Sequence, residues 1–269
     1  MSASASAALL DRLFQAQRTG VLDIDGLADA NGLSLDEALA LQLRLLERLQ
    51  AEGEQLGGWK VGLTSGTALD RMGPGFRPFG FLLQSRIFTS GDRIPFGPTD
   101  ADTPDGPDSV EGEVCFRIGE AIQGPDVSPD DVRHALAGGD SAIAAGLELN
   151  ARRRYPGADP GLRIADNMTN WGIVVGDEIS PIPADFDFDA LEVGLEQDGA
   201  SIGVLRAQGH IDDHYLSLSR LVQQLARFGR GLEAGQRVIT GAFDRTPILG
   251  PTRAAAHFSG IGRVAIQIT

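Results

Sequence analysis

The chain opens on two stretches whose apolar residues recur at helical spacing. Leu9, Leu10, Leu13 and Phe14 fall on one side of a helix over residues 6–18. Leu35, Leu39, Leu43, Leu46 and Leu49 follow at steps of three and four. Ser34 and Glu37 stand before them at the spacing of a capping box, and Gly53 marks an end. The link at 24–34 has room for a short turn. After Gly57 the pattern changes. Short runs rich in Val, Ile and Phe at 87–96, 110–118, 142–149, 172–175, 191–197, 238–242 and 264–268 predict strands. One long helix interrupts them, over about 216–228, and Gly229 ends it. Residues 97–109, crowded with Pro, Asp and Gly, read as a loop. There is no internal repeat and no alternating βαβ pattern. The layout is an N-terminal helical section, 1–56, and a β-rich body, 57–269, read as one integrated domain.

The 269 residues are 42% hydrophobic and 22% charged, which supports a core of the chain's own. No apolar run approaches the ~20 residues a membrane helix needs. A net charge of −14 repels phosphate backbones, so no nucleic-acid partner is expected. The first residues lack the basic and long apolar regions of a secretory signal, and the lone Cys115 permits no intramolecular disulfide. A cytoplasmic location is expected, and Asn167-Met168-Thr169 then reads as a chance glycosylation sequon. One detail is sharper. Of 23 basic residues, 22 are Arg, and Lys60 alone is Lys. Where coding drift replaces Lys by Arg, a Lys that persists marks a place needing a compact ammonium able to lose its proton.

Phosphate-loop, dinucleotide-binding and nucleophile-elbow motifs are all missing from the sequence. His210 and His214 stand at i, i+4, a metal-binding spacing on a helix, but the glutamate of the zinc-protease pattern is missing between them. Both read as surface histidines. The segment 110–118 alternates, with Val110, Val114, Phe116 and Ile118 on one face and Glu111, Glu113, Cys115 and Arg117 on the other. The carboxylate pair by itself fits a solvated face as well as a site. Glu148 adds a third carboxylate inside an almost wholly apolar run, 142–149, where an unpaired charge is prohibitive. Three carboxylates with waters make a hard-oxygen shell suited to Mg²⁺ or Mn²⁺. Lys60 lies in Gly57-Gly58-Trp59-Lys60-Val61-Gly62-Leu63-Thr64-Ser65. Thr64 and Ser65 offer hydroxyls and amides to a carboxylate, and a desolvated lysine near a metal titrates within reach of neutral pH and moves protons.

Together these segments resemble the 2-oxopent-4-enoate hydratase family of the fumarylacetoacetate-hydrolase superfamily, from about residue 8 to the C-terminus. Gly58-Trp59-Lys60-Val61-Gly62-Leu63-Thr64-Ser65, Val110-Glu111-Gly112-Glu113, Leu147-Glu148-Leu149 with Arg152, Ile164-Ala165-Asp166-Asn167, and the pair Thr240-Gly241-Ala242 and 258–264 follow that family's blocks in order. The resemblance implies an α+β fold, a mixed β-roll with an N-terminal helical section. It implies homo-oligomers, often pentamers or decamers. It implies a lyase of aromatic meta-cleavage catabolism that adds water to a 2-hydroxy-2,4-dienoate to give a 4-hydroxy-2-oxo acid. In that scheme Glu111, Glu113 and Glu148 hold Mg²⁺ or Mn²⁺, Lys60 moves a proton, and Leu63, Thr64 and Ser65 seat the carboxylate of a small 2-oxo acid. Asp166 and Asn167 join the substrate-binding set or order the turn beside it.

Two stretches depart from the pattern. The acid that precedes Phe-Gly in many of these hydratases is missing from Phe76-Arg77-Pro78-Phe79-Gly80, and 207–216 lacks the usual Gly-x-Pro. Related decarboxylases of 2-oxohexenedioates share the metal site and the lysine, and Arg77 is then a candidate for the distal carboxylate. The superfamily's carbon–carbon hydrolases use a histidine upstream of the metal strand, and this chain has none before His134. A noncatalytic partner subunit has no need to keep Lys60 and all three glutamates.

Overall fold

The computed structural model describes residues 3–23, 25, 32–96, 106–151, 153 and 160–269. Two helices open it, α1 (Ala3–Thr19) and α2 (Leu35–Ala51). The Ser34 side chain accepts the Glu37 N–H while the Glu37 carboxylate accepts the Ser34 N–H, the capping box read from the sequence. The leucine stripe of α2 is buried, and α2 lies against α1. The body then runs β1 (Leu56–Val61), β2 (Phe79–Leu83), β3 (Ile87–Thr89), β4 (Arg93–Ile94), β5 (Pro107–Arg117), α3 (Pro129–Ala137), β6 (Ala142–Ala151), α4 (Pro160–Ala165), β7 (Asn170–Ile179), β8 (Glu192–Gln197) and β9 (Ala200–Arg206). It closes with α5 (His214–Ala226), β10 (Arg237–Thr240), β11 (Arg245–Pro247), β12 (Thr252–Phe258) and β13 (Gly262–Ile268). No described helix is long and apolar enough to cross a membrane.

The strands form two mixed sheets. The larger has the order β2-β1-β10-β5-β6-β7-β3, with β11 also paired to β5. The smaller has the order β4-β13-β12-β8-β9 and packs β12 and β13 across β6 and β7. This is the α+β architecture expected. A flat sheet would hold β1 and β6 about 14 Å apart, three strand spacings. The larger sheet instead curls until β2 touches β7 and side chains of β1 and β6 meet. Gly58 allows the close pairing that starts this curl. Its φ is +151°, and a Cβ there would lie 1.8 Å from the Arg237 carbonyl oxygen of β10. The β1–β2 register shifts at the same point.

Several elements differ from the sequence reading. The run 87–96 is two short strands, because the Asp92 side chain accepts the Thr89 N–H and turns the chain. β5 begins at Pro107, inside the stretch read as a loop, since Ser109 pairs with Asn150 on β6 and Pro247 on β11. Residues 97–105, Arg152 and most of the 24–34 link lie outside the described residues. Helix α3 was not foreseen. Ser128 caps it through Asp131, with Pro129 in the first turn.

Candidate active site

Strand alternation puts Glu111 and Glu113 on one face of β5, and β6 sets Glu148 directly opposite Glu111 and Gly146 opposite Glu113. Oxygens of the three carboxylates all lie within 4.8 Å of one another. Opposed like charges weaken a strand pair. Glu148 is fully buried and Glu113 is 2% exposed. The reading of this face as solvated does not hold. Cys115, next along it, is fully buried with Leu82, Ile173 and Ile239.

Lys60 projects from β1 and places Nζ 2.5 Å from Glu148 Oε1, which also accepts Asn170 Nδ2 at 2.8 Å. Glu148 Oε2 and Glu113 Oε2 are buried with no hydrogen-bond partner. Arg245 comes no closer than 3.7 Å to Glu111. Burial, and next the charge of Glu148, pushes the Glu111 carboxyl up to about 7 and that of Glu113 well above the usual range. One ammonium does not satisfy three carboxylates in so dry a place. The orphaned oxygens and the all-oxygen donor set fit a hard divalent cation. Among the described residues no other group of His, Cys, Asp or Glu gathers in this way. Burial and the three carboxylates act on Lys60 in opposite directions. Burial pushes its ammonium down, but Glu148, Glu111 and Glu113 together outweigh burial and hold its pKa above the ordinary lysine value.

These four side chains line a cavity of about 350 Å³. Leu63, Thr64 and Ser65 line it too. Leu63 takes a left-handed backbone, φ +59°. The segment is pinned from behind, with Thr64 Oγ1 accepting the Gly241 N–H at 3.1 Å and the Thr64 carbonyl accepting the Asp212 N–H at 2.8 Å. The Gly66 N–H donates to the His210 carbonyl at 2.8 Å. The Thr64 hydroxyl proton stays free for another acceptor.

Asp166 and Asn167 are not among the residues that line the cavity. Asp166 is fully buried and accepts Gln17 Nε2 at 3.0 Å and Arg153 Nε at 2.5 Å. Asn167 bonds both backbone groups of Phe81, at 2.7 and 2.9 Å. They fix a turn in which Asn167, Met168 and Thr169 all have positive φ, and Met168 and Thr169 reach the cavity. Arg77, the candidate for a distal carboxylate, is 3% exposed, already paired with Asp70 and Asp212, and not among the lining residues. His214 is no surface residue. It is 3% exposed, packs on Phe188 and Phe116 and lies against Gly241, and burial lowers its pKa to about 4. The sequence reading missed Arg71, Arg163 and Arg245, and it left His210 without a role. All four line the cavity. No local pattern marks them among 22 arginines. Only the departure at 207–216 pointed toward His210.

No known family model matches the chain. In sequence it is 26% identical, over 88% of its length and 87% of the relative's, to 2-hydroxyhexa-2,4-dienoate hydratase of Comamonas testosteroni. Its backbone matches 4-oxalocrotonate decarboxylase from Pseudomonas putida G7, complexed with magnesium and adipate. That match has a TM-score of 0.85 at 22% identity, over 100% of this chain and 99% of that one. Fumarylacetoacetate hydrolase from Exiguobacterium antarcticum matches at 0.57 and 17% identity, over 80% of this chain and 76% of that one. The chain has the fumarylacetoacetate-hydrolase fold. Within that fold its sequence relatives include dienoate and 2-keto-4-pentenoate hydratases, as the motifs implied. They also include 4-oxalocrotonate decarboxylase of Pseudomonas sp., 24% identical over 89% of this chain and 87% of that one.

Proposed function

We propose that this chain is a divalent-metal-dependent lyase of aromatic meta-cleavage catabolism. It adds water to a 2-hydroxy-2,4-dienoate, through the 2-oxo tautomer, and releases a 4-hydroxy-2-oxo acid. The observation that carries this reading is the buried three-carboxylate cluster, with two orphaned oxygens, beside the chain's only lysine. The hydratase names of its sequence relatives support it.

Glu111, Glu113 and Glu148 hold Mg²⁺ or Mn²⁺. The bound ion supplies Lewis-acid polarisation of the substrate's 2-oxo group. Leu63, Thr64 and Ser65 seat the adjoining carboxylate, with the Thr64 hydroxyl as a donor. Lys60, held by Glu148 at 2.5 Å, lines the cavity and moves the proton between the 2-oxygen and the carbon chain. The enol proton passes to carbon as the 2-oxo group forms. The oxygen of water then bonds to C4 and its other proton goes to the neighbouring carbon, with no change of oxidation state overall. Asp166 and Asn167 position the Met168–Thr169 wall. We expect a cytoplasmic homo-oligomer, a pentamer or decamer by light scattering, with neither nucleic-acid nor membrane partners.

The full-length match to a decarboxylase favours one second reading, loss of carbon dioxide from a 2-oxo-3-hexenedioate on the same site. A noncatalytic subunit gains no support from a site that keeps Lys60 and all three glutamates. Product analysis separates these. Purified protein with Mg²⁺ or Mn²⁺ is offered 2-hydroxypenta-2,4-dienoate and 2-oxohex-3-enedioate, with and without EDTA. EDTA-sensitive water addition without carbon dioxide is the expected result. Carbon dioxide from the diacid moves the assignment to decarboxylase, and inertness toward both overturns the reading.

A further inference from the structure

Two cations at the cavity have no acid to neutralise. Lys60 is taken by Glu148, and Arg245 bonds Ser109 and faces Asp108 and Glu111. Arg71 and Arg163 line the same cavity, and both are exposed. Among the described residues neither guanidinium makes an ion pair or a side-chain hydrogen bond. Thirteen described arginines pair with an acid. Arg18, Arg93 and Arg253 do not either, but Arg71 and Arg163 are the ones among these that line the cavity. Their lack of an acid there runs against the background, because the chain carries 37 acidic residues and a net charge of −14. The lining as a whole holds four acidic and four basic side chains. A divalent cation on the carboxylate cluster leaves it two positive charges in excess, the charge of a dicarboxylate. A monocarboxylic 2-oxo acid answers only one of them.

We infer that Arg71 and Arg163 form the subsite for a second, distal carboxylate, so that the substrate is a dicarboxylic 2-oxo acid. This rests on the reading of the carboxylate cluster and the Leu63–Ser65 wall as the place of the 2-oxo acid end. Arginine suits the role, since its planar fork binds a carboxylate in two parallel hydrogen bonds. Separate elements supply the two side chains. Arg71 follows the pinned 63–66 segment, and Arg163 lies on α4, just before the turn that carries Met168 and Thr169.

The test uses two acids of equal length that cannot be hydrated, 2-oxoadipate and 2-oxohexanoate, titrated calorimetrically into the full chain with Mg²⁺. The expected result is that 2-oxoadipate binds at least tenfold more tightly. In Arg71→Gln/Arg163→Gln that advantage falls to about twofold or less, while 2-oxohexanoate affinity is unchanged. The substituted side chains are exposed and unpaired, and a melting temperature equal to wild type confirms the fold. Equal affinities in the wild type, or a preference that survives the double substitution, overturns the subsite. Mg²⁺-dependent binding of 2-oxohexanoate keeps the 2-oxo acid reading standing in either event. Failure of both acids to bind overturns the subsite and that reading together.

Discussion

Lys60 and Glu148 define what a single side chain contributes here. The ammonium has one carboxylate at 2.5 Å and two more nearby, so it is held protonated and directed into the cavity. Lys60→Met keeps the length of the stem and removes the proton. Turnover should fall by about 10²- to 10⁴-fold, the usual contribution of a general acid–base group. Mg²⁺ binding should persist, because the three carboxylates remain. Steady-state rates with parallel metal titration check this, and a variant within about threefold of wild type sinks the assignment. Lys60 was legible in the sequence because it is the only lysine. Arg71 and Arg163 were not, because an arginine among 22 shows its role only through what surrounds it. His214 was misread for a related reason. Polarity suggested a surface position, but Phe188 and Phe116 enclose the ring. Burial lowers its pKa to about 4 against an ordinary value near 6.5, although Asp213 and Asp212 pull the other way. The neutral ring therefore contributes stability that is complete above pH 6.5 and is lost as the pH falls through 4. The shift is worth about 3 kcal/mol. His214→Leu should flatten the stability profile across that window, read from urea midpoints at pH 7 and pH 4.5. A wild-type and variant pair that lose stability in parallel would rule the account out.

At the scale of elements, what the sequence disclosed follows from how each element is held. Helices α1 and α2 were legible because their leucines keep the helical period and Ser34 caps the second. β5 and β6 were legible because their apolar residues face a core. β1 was obscured by Gly57 and Gly58, which serve close strand pairing rather than β propensity. β9 was obscured because it is an exposed edge strand, with Ile202 46% and Val204 63% exposed. β12 was obscured by Ala254, Ala255 and Ala256, small residues that pack tightly beside β8 and β13. No pattern in α2 announced what Gln42 does. This fully buried side chain donates to the Phe79 carbonyl on β2 at 2.8 Å and the Ile164 carbonyl on α4 at 2.7 Å. It ties the helical section to α4, which leads into the Asp166–Thr169 turn, and to β2, which Asn167 bonds at Phe81. Gln42→Leu strands both carbonyls and should cost about 2–4 kcal/mol. It should also raise KM more than it lowers kcat, because the wall carrying Met168 and Thr169 loosens while Lys60 stays in place. Chemical denaturation and steady-state kinetics on one preparation test both parts. A destabilised variant with unchanged KM would separate the helix from the site.

Across the whole molecule, the cluster is a place where stability has been given up. Glu111 and Glu113 on β5 face Glu148 on β6, in the middle of the larger sheet and under the smaller one. A protein selected for stability alone would not bury three carboxylates against one ammonium. A divalent cation held by Glu111, Glu113 and Glu148 would offset that repulsion, so metal should act on the melting temperature of the entire chain. At a hundred times its dissociation constant, Mg²⁺ adds about 2.7 kcal/mol to the folded state. Glu113→Gln separates the two effects. Its amide replaces a carboxyl whose raised pKa costs the folded state stability at neutral pH, so without metal the variant should melt above the wild type. It also removes a ligand, so the rise on adding Mg²⁺ should shrink or vanish, and the order of the two proteins should reverse at saturating metal. Thermal melts with EDTA and with millimolar Mg²⁺ read both shifts. If Glu113→Gln lowers the melting temperature in EDTA, the carboxylates are satisfied by the chain itself and the cluster is structural. If the variant gains as much from Mg²⁺ as the wild type does, the ion binds elsewhere.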